Sequence, residues 1–174
     1  MPIPLKGEAM RNAVLITVLI FGIVSLAAPG NAQEIAGLDL EAPSKLGLTI
    51  QRDEQVKAAG EASIRIDTSW PVTVCLGELD SLDVENAKLV YQAQVKSDLE
   101  GTAFLEMWCH FQGSPYFSRG MNDPVEGKSD WKAIGTPFML QKGQKPEKVT
   151  LNIVINGKGT VWVDDLVLSK EELK

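Results

Sequence analysis

Residues 103–111, AFLEMWCHF, and residues 88–96, KLVYQAQVK, alternate apolar and polar or bulky side chains over nine positions each. In an extended chain successive side chains point to opposite faces, so such alternation sorts a strand into two sides. One side of the first stretch carries Ala103, Leu105, Met107, Cys109 and Phe111, and the other carries Phe104, Glu106, Trp108 and His110. The second stretch gives Leu89, Tyr91, Ala93 and Val95 against Val90, Gln92, Gln94 and Lys96. Neither stretch has the i, i+3, i+4 apolar spacing that a core helix needs.

Moving outward, the same pattern recurs. Ser63–Asp67, Val72–Leu76, Lys132–Leu140, Lys148–Ile155 and Thr160–Leu168 are short, rich in Val, Ile, Leu and aromatics, and bounded by Gly, Pro, Asn, Asp or Ser. A further strand is expected near Leu46–Gln51. Seven or eight strands without intervening helices indicate an all-β fold, an antiparallel β-sandwich or jelly roll. The sandwich body is expected over residues 61–170, with residues 33–60 as its weakly patterned opening segment.

Upstream, Ala13–Ala28 is an uncharged apolar run preceded by Lys6 and Arg11 and followed by Pro29-Gly30-Asn31-Ala32, the order of a secretory signal. The run is short for a bilayer span, and cleavage is expected after Ala32, with Met10 as an alternative start. The chain is therefore expected to be exported, to the periplasm, the cell surface or the medium, with no membrane insertion after cleavage. The 142 residues that follow carry 15 basic and 22 acidic side chains, a formal charge of −7. With no Lys/Arg block, such a chain has no means of neutralising nucleic-acid phosphates. One His and two Cys cannot furnish a four-ligand zinc site.

If Lys88–Lys96, Ala103–Phe111 and Lys148–Ile155 share a sheet, its outward face carries Gln92, Gln94, Glu106, Trp108, His110, Thr150 and Asn152. Amides, a carboxylate and an aromatic plane suit a sugar, whose hydroxyls want hydrogen-bond partners and whose C–H face stacks on a ring. Seven of the ten aromatic residues after position 32 lie between Phe104 and Phe138. The segment Gln112–Lys128 reads as a long loop bordering the ligand and brings Tyr116, Phe117 and Arg119. His110, lacking an evident base, nucleophile or metal partner, reads as a hydrogen-bonding surface residue. Trp70, before Pro71, is either a rim contact or packing. Cys75 points outward and Cys109 inward by strand parity, which favours two free thiols.

Several stretches together resemble a known family. Trp131-Lys132-Ala133-Ile134 leading to Pro137-Phe138, then Val149–Ile153, then GTVWVDDLVL at 159–168, are similar to the closing half of carbohydrate-binding modules of the family four and family nine type. KLVYQAQVKS at 88–97 and GEASIRID at 60–67 resemble earlier strands of the same modules. The resemblance implies a galactose-binding-domain-like jelly roll and a non-catalytic glycan-binding role. It requires no cofactor, but implies a structural calcium between an acidic residue of the opening segment and the first Asp of the closing strand. By position these are Glu41 and Asp164, with Asp53 or Glu54 as helpers. The opening departs from the family, since Leu38-Asp39-Leu40-Glu41 stands where an aromatic-bearing segment ending in Trp is usual.

Three classes of function follow. The first is an exported glycan- or polysaccharide-binding module using Trp108, Glu106, His110, Gln92, Gln94, Asn152, Tyr116 and Arg119. The second is a structural or protein-interaction domain whose face meets a protein partner in a cell-surface assembly. The third is a small polysaccharide lyase or hydrolase, for which only Glu106 of the two carboxylates a glycosidase needs has a position on the face.

Overall fold

The computed structural model describes the backbone of residues 33–37 and the full residues 47–173. The expected signal segment and Glu41 lie outside the described residues. Eight strands run in chain order: β1 (Gln33–Gly37), β2 (Leu48–Asp53), β3 (Ser63–Thr68), β4 (Val72–Asp80), β5 (Ala87–Phe111), β6 (Ser114–Arg119), β7 (Val125–Leu140) and β8 (Lys148–Glu172). All pairings are antiparallel. The expected all-β sandwich is observed.

Its organising element is a ribbon. The 25-residue strands β5 and β8 pair along nearly their whole length, from Ala87 opposite Glu172 to His110 opposite Lys148. The sequence reads as four strands here, separated by polar and glycine-rich breaks near 97–102 and 156–159; the structure has two continuous ones. Glycine explains the difference. Gly101 lies opposite Gly157, and a Cβ on Gly101 would stand 2.1 Å from the Asn156 carbonyl oxygen, one on Gly157 2.2 Å from that of Glu100. Without side chains the two backbones close up and the ribbon bends while its pairing persists.

The bend creates the two layers. In one, β2 pairs β3, β3 and β1 pair the C-terminal half of β8, and that half pairs the N-terminal half of β5, which pairs β7. In the other, the order is β4, the N-terminal half of β8, the C-terminal half of β5, and β6. The inner faces fall as strand parity requires. Leu89, Tyr91 and Val95 of one layer and Leu105, Met107, Cys109, Leu151, Ile153 and Ile155 of the other are wholly buried in one core. Each Leu or Ile so buried contributes about 1.5–3 kcal/mol.

Along β8 parity switches once, at Asp164-Asp165. The register moves from Gln94 opposite Asp164 to Gln92 opposite Val167, so β8 carries one extra residue there. Asp165 takes a φ of +50°, a β-bulge conformation, and the inward set passes from Val161 and Val163 to Leu166 and Leu168.

The segment expected as a long loop, Gln112–Lys128, is instead a hairpin. β6 folds back on β5 with Phe111 opposite Ser114 and Glu106 opposite Arg119. Gly113, at φ +95°, makes the tight reversal, and Pro115 is tolerated because β6 lies at the edge of its layer. The cysteines are both free, Cys75 exposed and Cys109 buried. Trp70 packs on Gly47, where an added Cβ would stand 2.1 Å from the indole.

Candidate functional site

The outer face of the β4–β8–β5–β6 layer follows from its register. One row across the strands runs Arg119, Glu106, Asn152 and Cys75; the next runs Phe117, Trp108, Thr150 and Glu78; the third runs Pro115, His110, Lys148 and Asp80. The expected grouping of Glu106, Trp108, His110, Thr150 and Asn152 is therefore present. Gln92 and Gln94 are elsewhere. They lie beyond the bend of β5, opposite Gly135 and Ala133 of β7, on the outside of the other layer. The bend at Gly101 carries equal-parity residues to opposite sides of the sandwich, so shared parity did not place these amides on one face with Trp108.

Glu106 is the centre of the face, and it is only 3% exposed. Trp108 Nε1 donates to Glu106 Oε1 at 2.7 Å, Asn152 Nδ2 to the same oxygen at 3.2 Å, and Arg119 Nε to Oε2 at 2.5 Å. Burial pushes this carboxyl upward, but the three donors and the Arg119 charge outweigh it and hold Glu106 below the ordinary carboxylate range. Because charge-assisted hydrogen bonds fix the orientation of their donors, the carboxylate locks both the indole and the guanidinium in place.

Above that anchor lies an aromatic platform. The Trp108 and Phe117 rings stand 4.9 Å apart, tilted by 45°, and the Arg119 guanidinium lies 4.6 Å from the Phe117 ring centroid. Phe117 is 50% exposed. Phe117 is the residue that sequence reasoning placed in a loop and left out of the site; the alternation Tyr116-Phe117-Ser118-Arg119 is the signal that identifies it, because it puts Phe117 and Arg119 on one side. His110 Nε2 is 3.3 Å from Thr150 Oγ1, and Lys148 pairs with Glu78 at 2.6 Å. Tyr116 is opposite Cys109 and so turns to the other side of β6, where its ring meets Phe111 edge-on at 6.0 Å.

The residues expected to hold calcium make other contacts. Both oxygens of Asp164 accept backbone N–H groups, Ala58 and Ala59 at 2.7 and 3.0 Å on Oδ2 and Asp165 at 2.8 Å on Oδ1. Asp53 accepts from the N–H groups of Gln55 and Val56 and from Trp162 Nε1 at 3.0 Å, and these bonds lower its pKa. Glu54 faces Arg52 at 3.7 Å. A calcium site needs six to eight oxygen ligands, whereas the Asp164 carboxylate faces the positive ends of three amide dipoles, an environment that does not fit a cation. Among the described residues no group of three or more His, Cys, Asp or Glu could hold a metal ion.

No family model matches the chain, and no curated protein matches it. Solved structures share its fold. The N-terminal part of endo-1,4-beta-D-xylanase 10B from Clostridium thermocellum, a CBM22-1 module joined to a GH10 module and complexed with xylohexaose, superposes with a TM-score of 0.52 at 14% identity, over 75% of this chain and 26% of that one. This chain thus spans about a quarter of that xylanase structure. The CBM22-1 xylan-binding domain from Paenibacillus barcinonensis gives 0.51 at 10% identity, over 75% and 85% of the two chains. A Stig cyclase from Fischerella sp. TAU gives 0.53 at 12% identity, over 84% and 87%. At such identities the likeness is one of fold, a β-sandwich used by carbohydrate-binding modules among others.

Proposed function

We propose that this chain is an exported, non-catalytic module that binds a glycan or polysaccharide across the outer face of the β4–β8–β5–β6 layer. The observation that carries the reading is the locked platform of Trp108, Phe117 and Arg119 on buried Glu106. A pyranose stacks its C–H face on Phe117 and the exposed edge of Trp108, while the free N–H groups of Arg119, the Thr150 hydroxyl and His110 meet its hydroxyls. Glu106 and Asn152 act from beneath, holding the platform in its binding geometry before the ligand arrives, which lowers the ordering cost of association. The resemblance to family four and nine modules supports this reading. So does the company of a module solved with xylohexaose and of a xylan-binding domain among structures of the same fold.

The geometry favours binding over turnover. Hydrolysis of a glycoside uses two carboxylates flanking the scissile bond. Here Glu106 is covered by three donors, Glu78 is held by Lys148, and Asp80 stands beside that same lysine at the end of β4.

Affinity electrophoresis in gels containing xylan, mixed-linkage glucan or galactan tests the proposal. Retardation by at least one polysaccharide is expected, and Phe117→Ala should weaken it about tenfold without unfolding the domain. Equal mobility in all three gels, or retardation untouched in both Phe117→Ala and Trp108→Ala, overturns it.

A further inference from the structure

At the end of the sandwich, away from the Trp108 face, lies an open hollow of about 710 Å³. Tyr116 and Phe111 form one wall, the β5–β6 turn with Gln112 and Ser114 the rim, and Gln144, Lys145 and Glu147 of the β7–β8 connection the other wall. We propose that this hollow is a second carbohydrate subsite, taking the end of a neutral oligosaccharide. The inference rests on the glycan-binding reading above and extends it to a different surface.

Period two along β6 creates the arrangement. Tyr116 and Phe117 are adjacent and both at least half exposed, 58% and 50%, yet they face opposite sides of an edge strand. Phe117 serves the sheet face. Tyr116 turns its ring to the hollow and is braced from behind by Phe111, which itself stands 6.4 Å from Phe138. An exposed ring backed by a second that is itself packed on a third offers a stacking surface.

The rest of the lining selects the ligand. Gln144 Oε1 accepts from the Gln141 N–H at 2.8 Å, which leaves its amide N–H groups for a ligand. The Gln112 amide adds donors and an acceptor at the rim, the Ser114 hydroxyl, which donates to the Gly113 carbonyl at 2.6 Å, adds an acceptor, and Glu147 is the acceptor on the far side. Such a set matches vicinal hydroxyls, each both donor and acceptor. A polyanion finds no free cation here, because Lys145 Nζ is 2.6 Å from Asp83 and 3.5 Å from Glu85. A lipid tail finds too much polar surface. The volume falls within the range of small-ligand clefts.

The walls are fixed before any ligand arrives. Glu147 N–H donates to the His110 carbonyl at 2.8 Å, the Glu147 carbonyl accepts from Ser81 at 2.6 Å, and Gly143 N–H donates to Glu85. His110 belongs to the sheet face, so its backbone joins the two surfaces although their side chains point apart.

Amide chemical-shift mapping of the full domain with xylohexaose, cellohexaose and galactohexaose, separately, tests the proposal. With at least one of them, two sets of residues should shift, one around Trp108 and Phe117 and one around Tyr116, Gln112 and Gln144. Tyr116→Ala should weaken the second set about tenfold and leave the first within twofold; Phe117→Ala should do the reverse. Gln144→Ala, which leaves every strand intact, should also weaken only the second. Shifts confined to the Trp108 face refute the second subsite and leave the main reading standing. Shifts at neither place refute both.

Discussion

Replacing Glu106 tests whether one buried carboxylate organises the whole face. Alanine leaves Trp108 Nε1 and Asn152 Nδ2 without the acceptor they share, and each donor so stranded costs about 1–3 kcal/mol. Arg119 loses its partner too, but its side chain is 42% exposed and regains water, so its share is below about 1 kcal/mol. Glu106→Ala is therefore expected to destabilise the domain by about 3–4 kcal/mol. Glu106→Gln keeps one carbonyl oxygen for Trp108 and Asn152 but turns an NH2 group against Arg119 Nε, which lowers the expected loss to about 1.5–2 kcal/mol. Urea unfolding followed by tryptophan fluorescence measures both. The pH dependence adds a second reading. The folded carboxyl titrates below its unfolded value of about 4.3, so its contribution is complete above that pH and is lost as pH falls through the folded value. The gap between wild type and Glu106→Gln should be flat from about pH 5.5 to 8 and close below about pH 4. A Glu106→Ala protein within 1 kcal/mol of wild type, or a gap that widens in acid, refutes the anchor.

Tyr91 is wholly buried with its hydroxyl unpartnered, and burial pushes its pKa upward; Tyr91→Phe should be neutral or stabilise by up to about 1 kcal/mol in the same urea assay. Gly157→Ala forces a Cβ to 2.2 Å from the Glu100 carbonyl oxygen, so a loss above about 2 kcal/mol or failure to fold is expected, whereas Gly60→Ala, with open space around it, should cost less than half as much. Because Asp164 is satisfied by three backbone N–H groups, melting temperature should shift by less than about 2 °C between 5 mM calcium and excess chelator, while Asp164→Ala should lower it by about 4–8 °C.

Alternation was enough to assign the core. Leu89, Tyr91, Ala93 and Val95, and Leu105, Met107 and Cys109, were readable as inward residues because a one-residue slip would have exposed every one of them. The same logic brought Glu106, Trp108 and Asn152 together. What parity cannot convey is where a strand turns a corner. Gly101, Gly157 and Gly159 read as terminators, because glycine ends strands more often than it bends them, and Gln92 and Gln94 were accordingly set beside Trp108 instead of on the far layer. Pro115 and Gly113 hid β6 in the same way, and with it Phe117. Alternation also marks a side chain as outward without saying that neighbours will cover it, which is how Glu106 comes to be outward and buried at once.

The bent β5–β8 ribbon has a thermodynamic consequence. Both layers are built on the same two stretches of backbone, so neither can melt without stripping the other of its central pair of strands. Such a molecule should lose its structure in a single cooperative step, with calorimetric and van't Hoff enthalpies in agreement. Because even the nearest pair of the ribbon, His110 and Lys148, must meet across the whole of β6 and β7 before it can zip towards Ala87 and Glu172, that step should also be slow to reverse.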